Sequence, residues 1–118
     1  MFDFEKLEVY QVTKAQNIDV VKFLIEENLI DGDLKQRWKS SSLDSVAFLV
    51  ESTARMAHQD KKNYLINARS SINSCVSLMD MCVHFGWLKE EDYEAFYLRY
   101  EQMSKMMLGM IRSFSHDK

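Results

Sequence analysis

The chain has 118 residues, enough for one domain that buries roughly two thirds of its unfolded surface. Hydrophobic residues make up 47%, proline is absent and glycine numbers three, which excludes a turn-rich β sandwich and a disordered or linker-rich chain. Eighteen acidic against fifteen basic residues leave a net charge of -3, so no strong overall field draws the chain to nucleic acid.

From the start of the chain, Met1 to Lys6 shows no basic-then-apolar leader pattern, and no run approaches the ~18 apolar residues of a membrane span. A cytoplasmic protein without membrane contact is expected. The first helix is predicted from Phe4, Leu7, Tyr10, Ile18, Val21, Leu24 and Ile25. It ends at "NLIDGD", residues 28–33, where Gly32 is expected to take a positive φ and Asp33 to cap the next helix. Leu34, Trp38, Val46, Leu49, Val50 and Ala54 then mark a second helix. Its serines, Ser40, Ser41, Ser42 and Ser45, are poor helix formers whose small side chains let another helix approach closely.

A break at residues 56–60, with Asp60 as N-cap, leads into the most regular segment. There Leu65, Ala68, Ile72, Cys75, Met79 and Cys82 alternate spacings of three and four. Cys75 and Cys82 lie two helical turns apart, ~10.5 Å, too far for a disulfide, and are expected to be reduced core residues. Gly86 stops this helix. Glu90, Glu91, Asp92 and Glu94 open the fourth, which carries Tyr93, Phe96, Tyr100, Met103, Met107, Met110 and Phe114 on one face. Four amphipathic segments of about 25 residues, joined by short links, predict an all-α, antiparallel up-down-up-down four-helix bundle, one domain over residues 1–118.

Chemical motifs are sparse. The sequence holds no phosphate-binding glycine loop, no HExxH and no zinc-finger cysteine spacing, so no enzyme activity, cofactor, metal or small-molecule substrate is expected. Asp80 and His84, an i, i+4 pair near Cys82, are read as a helix-end hydrogen bond rather than a metal site. A helical-bundle ribonuclease needs Arg and His at a wider spacing than Arg112–His116 or Arg55–His58, and stands as a minor alternative. Two local basic groups, Lys35, Arg37 and Lys39, then Arg55, Lys61 and Lys62, are candidate contacts for RNA or a ribonucleoprotein. Glu51, on an apolar stretch, is expected to form a partly buried ion pair with Arg69 that fixes helix register.

The stretch "ESTARMAHQDKKNYLINARSSINSCVSLMD" resembles the four-helix bundle family encoded in intervening sequences of bacterial 23S ribosomal RNA genes. That family shows N-I-A-E-G-x-G-R, a Lys/Asp-rich turn with an aromatic, then A-R-G-S. Leu49, Val50, Glu51 and Arg55 fall on the first motif, Asp60, Lys61, Lys62, Asn63 and Tyr64 on the turn, and Ala68, Arg69 and Ser71 on the second. Phe4, Leu7, Val9 and Tyr10 resemble the family's F-x-x-L-x-V-W opening. Phe48, Ser52, Ala54, Ser70 and Ser74 replace its Asn, glycines and Glu, so the chain reads as a divergent member. The resemblance implies an antiparallel bundle that assembles as a homo-oligomer, most often a five-fold ring, and implies no particular activity.

The expected function is that of a non-enzymatic, self-associating interaction module whose first partner is itself. Trp38, Phe48, Phe85, Trp87 and Tyr97 lie outside the tightest seams and are the candidate oligomer interface.

Overall fold

Three short links divide a chain that is otherwise helical. The computed structural model describes residues 1–116, with side chains through Ser115. Among the described residues a 3-10 turn, Asp3–Lys6, precedes four α-helices: α1 (Glu8–Glu26), α2 (Gly32–Ala54), α3 (His58–His84) and α4 (Glu90–His116).

The first link is closed by Glu27. Its carboxylate accepts the N–H groups of Leu29 and Ile30, and the Lys35 ammonium returns to both its backbone oxygen and its carboxylate. Asp31, not Asp33, is the N-cap of α2, accepting from the N–H groups of Asp33 at 3.0 Å and Leu34 at 3.3 Å. Gly32 is already helical and keeps an ordinary negative φ. The cap falls two residues earlier than expected because Asp31 is itself a strong capping residue.

At the second link α3 starts at His58 behind Ala57, which makes no side-chain cap. Asp60, expected as the cap, instead lies in the first turn, where its charge favours the helix dipole. Gly86 closes α3 as expected. With φ at 78° it lets its own N–H reach the carbonyl of Val83 and that of Trp87 reach Cys82, both at 2.9 Å, satisfying two terminal carbonyls.

Each helix packs against its successor, and α4 closes onto α1. Short links then make successive helices antiparallel, in an all-α bundle 48 × 27 × 22 Å. The α3 stripe is buried at every expected position, Leu65, Ala68, Ile72, Cys75, Met79 and Cys82. On α4 Tyr100, Met103 and Met107 are fully buried, with Tyr93, Phe96, Met110 and Phe114 half-buried around them.

Two helices differ from expectation. The buried face of α1 is Val9, Thr13, Gln16, Asn17, Val20 and Leu24. Ile18 and Ile25, expected inside, point outward at 45% and 72% exposure. Two of the inner polar residues find backbone partners through their amide nitrogens: Gln16 Nε2 donates to the Phe96 carbonyl on α4 at 2.8 Å, and Asn17 Nδ2 to the Thr13 carbonyl at 2.9 Å. Thr13 Oγ1 and the Gln16 and Asn17 amide oxygens are buried without a partner among the described residues. On α2 the buried residues are Trp38, Ser42, Ser45, Leu49 and Ser52, again spaced by four and three. Ser45 and Ser52 donate to carbonyls three residues back, so their hydroxyls are satisfied without reaching across the core. Small side chains therefore hold three of the five buried positions on α2, whose pairing with α3 is the most extensive of the bundle.

Candidate functional site

Because α1 buries Thr13, Gln16 and Asn17, it leaves Ile18 exposed and Val21 half-buried on its outer side, among Lys14 and Lys22. Ile18 and Val21 face Leu43, Val46 and Ala47 of α2 across a groove of about 550 Å³. Asn17 lines it from the bundle side, and Lys14 and Lys22 stand at its margins. Apart from those two ammonium groups, the groove offers a partner hydrocarbon surface, which water covers at a free-energy cost.

A second groove, about 650 Å³, runs between α3 and α4 and is lined by Ile72, Val76, Asp80, Tyr93, Tyr97 and Glu101, among others. Tyr93 and Tyr97 stack along it with ring centroids 5.7 Å apart. Burial beside Asp80 and Tyr97 raises the Tyr93 hydroxyl above its ordinary pKa, so it stays a neutral phenol.

Beneath this groove lies a buried polar network across the bundle diagonal. Trp38 Nε1 donates to the Tyr100 hydroxyl at 3.1 Å, and the Ser42 and Tyr100 hydroxyls bond at 2.6 Å. The Cys75 thiol approaches the Trp38 carbonyl at 3.9 Å. Burial pushes the Cys75 thiol up to about 11 and raises the Tyr100 phenol well above its ordinary value. Desolvation likewise raises Cys82, helped by the charge of Glu27. These groups are neutral at physiological pH, whereas thiol nucleophiles react as thiolates.

Several expected site residues occupy other roles. Trp38 is no interface residue: it is fully buried, packed edge-on to Phe96 at 5.7 Å, because its indole N–H has a partner in Tyr100. Glu51 does not meet Arg69. Its carboxylate pairs with Arg55 one turn along the same helix, and both side chains are 41% exposed. Arg69 Nε donates instead to Ser104 Oγ on α4 at 3.1 Å, since α3 turns that side toward α4 rather than back to α2. Phe48 is half-buried against the core and Tyr64, with ring centroids 6.4 Å apart. Phe85 and Trp87 stack at 4.6 Å on the α3–α4 link, with Phe85 55% exposed, and Tyr97 lies half-buried in the α3–α4 groove.

The two basic groups sit at opposite ends of α2, roughly 30 Å apart at 1.5 Å per residue. Lys35 is drawn onto Glu27, and Arg37 pairs with Asp33 at 3.0 Å, while Lys39 is half-buried. At the other end Arg55 lies over the Tyr64 ring at 4.9 Å and Lys61 over Phe114 at 5.9 Å, with Lys62 half-buried beside them. His58 packs against Phe114 at 5.2 Å. His84 and Asp80 approach at 3.6 Å on an exposed surface, while Cys82 faces the core. Among the described residues no three His, Cys, Asp or Glu side chains could hold a metal ion. The side chain of His116, half of the Arg112–His116 pair, lies outside the described residues. No described helix is long and apolar enough to cross a membrane.

The model of a family described as 23S rRNA-intervening sequence protein matches residues 5–109. Among solved structures the fold is similar to a protein with unknown function from the S23 ribosomal protein family of Bacteroides thetaiotaomicron. That comparison has a TM-score of 0.80 at 18% identity, covering 87% of this chain and 97% of the other. No curated protein matches the chain significantly.

Proposed function

Because this chain belongs to the 23S rRNA-intervening sequence protein family, we propose that it acts as a self-associating helical module that presents surfaces to partners rather than as a catalyst. The observation that carries this reading is the α1–α2 groove, whose exposed lining is apolar apart from Lys14 and Lys22. Covering such a surface gains about 25 cal/mol for each Å² of apolar area removed from water, and a second copy of the chain is the partner always present at equal concentration. The most perturbed thiol and phenol groups, Cys75 and Tyr100, are buried and neutral, which supports a structural rather than a chemical role for them. The reading requires no cofactor, metal or small-molecule substrate.

Ile18→Glu and Leu43→Glu test it. Both positions are exposed, at 45% and 44%, so a carboxylate there leaves the bundle folded and must be desolvated in any interface that covers the groove. Wild type is expected to sediment as a multiple of the 13.9 kDa chain and both variants as monomers with unchanged helical circular dichroism. A wild-type monomer would overturn the reading.

A further inference from the structure

Resting on the self-association reading, and deepening it, we infer that the α1–α2 groove of one copy receives the outer face of α4 from a second copy, with Leu98 seated against Ile18 and Leu43. Leu98 is 58% exposed, the one large apolar side chain on α4 that the bundle leaves so open among the described residues. The charges around it mirror those around the groove. Lys14 and Lys22 lie four residues before and after Ile18 on α1, roughly 12 Å apart along the axis. Glu94 lies four residues before Leu98 and Glu101 three after it, roughly 10.5 Å apart. Two cations flanking an apolar site thus meet two carboxylates flanking an apolar knob at nearly the same spacing. Charges flanking a coiled-coil seam set partner choice in the same way.

Contacts within one chain do little to hold these charges. The Lys14 ammonium lies 5.7 Å from the Tyr10 ring centroid, and the Glu101 carboxylate lies 3.8 Å from a largely exposed Lys105. Neither surface blocks the other, because the groove belongs to α1 and α2 and the knob to α4. Each copy can therefore offer its groove to one neighbour and its α4 face to another, the heterologous contact that generates rings or open chains.

Two charge reversals test the pairing. Lys14→Glu with Lys22→Glu inverts the groove, and Glu94→Lys with Glu101→Lys inverts the knob. By light scattering at low salt, each double variant alone is expected to run as a monomer, because like charges then face each other. An equimolar mixture is expected to associate again, because each contact between unlike variants pairs opposite charges in a chain or ring where the two alternate. Leu98→Ala, which keeps helix propensity and charge, is expected to weaken association at least about tenfold. A mixture that stays monomeric overturns the inference, as does wild-type mass in either double variant alone. In both cases self-association of the wild type would still stand. A monomeric wild type would overturn the inference and the reading beneath it together.

Discussion

Tyr100 shows how single residues give this bundle a specific interior. Its hydroxyl accepts from Trp38 Nε1 and bonds Ser42, so α2 and α4 are locked across the diagonal by groups that would be costly to leave unpaired. Tyr100→Phe keeps the ring and removes the oxygen, leaving the indole N–H and the Ser42 hydroxyl buried without that partner. Stability is expected to fall by about 1–3 kcal/mol in urea unfolding; a loss below about 0.5 kcal/mol would show the network to be dispensable. The raised Cys75 thiol gives a pH dependence of definite sign. In the unfolded chain the thiol ionises near 9, in the folded one near 11, so between these values the unfolded state binds fewer protons. Stability from this group is complete below pH 9 and declines as pH rises toward 11, by on the order of 2 kcal/mol. Thermal melts should fall over that window, and less steeply in Cys75→Ala. A profile in which both proteins fall equally would contradict the assignment.

At the scale of the element, two glycines in helical surroundings have opposite roles. Gly86 holds a φ of 78°, which an L side chain enters at a cost of about 1–2 kcal/mol, so Gly86→Ala is expected to destabilise by that amount. Gly109 lies inside α4 with open space where a Cβ would stand. Gly109→Ala is expected to stabilise by about 1 kcal/mol through helix propensity. Denaturant midpoints moving in opposite directions would bear this out; equal shifts would not.

Legibility in the sequence followed the chemistry of each stripe. The α3 and α4 seams consist of apolar residues at core spacing, so their pattern and their burial coincide. On α1, Thr13, Gln16 and Asn17 hold core positions, and reading apolar residues alone placed Ile18 and Ile25 inside instead. The run Val9, Thr13, Gln16, Val20, Leu24 keeps core spacing and was the available signal. The groove is hidden by that same inversion, since Ile18, Val21 and Val46 of its lining read as seam residues. Trp38 drew attention by size, and nothing in a linear pattern reveals a hydroxyl waiting 62 residues away. Glu51 found a nearer cation in Arg55, as i, i+4 pairs do.

For the whole molecule, a net charge of -3 conceals an uneven surface. Lysines flank the α1–α2 groove, glutamates flank Leu98 on α4, and the two basic groups singled out in the sequence lie at opposite ends of α2. Such a distribution suits contact between like molecules better than one continuous basic track along a nucleic acid. The stable core of the bundle needs no second copy, since Trp38, Leu49, Leu65 and Met103 are fully buried within one chain. Association is therefore separable from folding, and Ile18→Glu should remove the first while keeping the second. The most direct measurement is absolute mass by light scattering on a sizing column, for wild type and Ile18→Glu at the same micromolar concentration. Self-association through the groove predicts a wild-type mass several times 13.9 kDa and a variant at 13.9 kDa with the same helical spectrum. A wild-type protein that elutes as a single 13.9 kDa chain would contradict it.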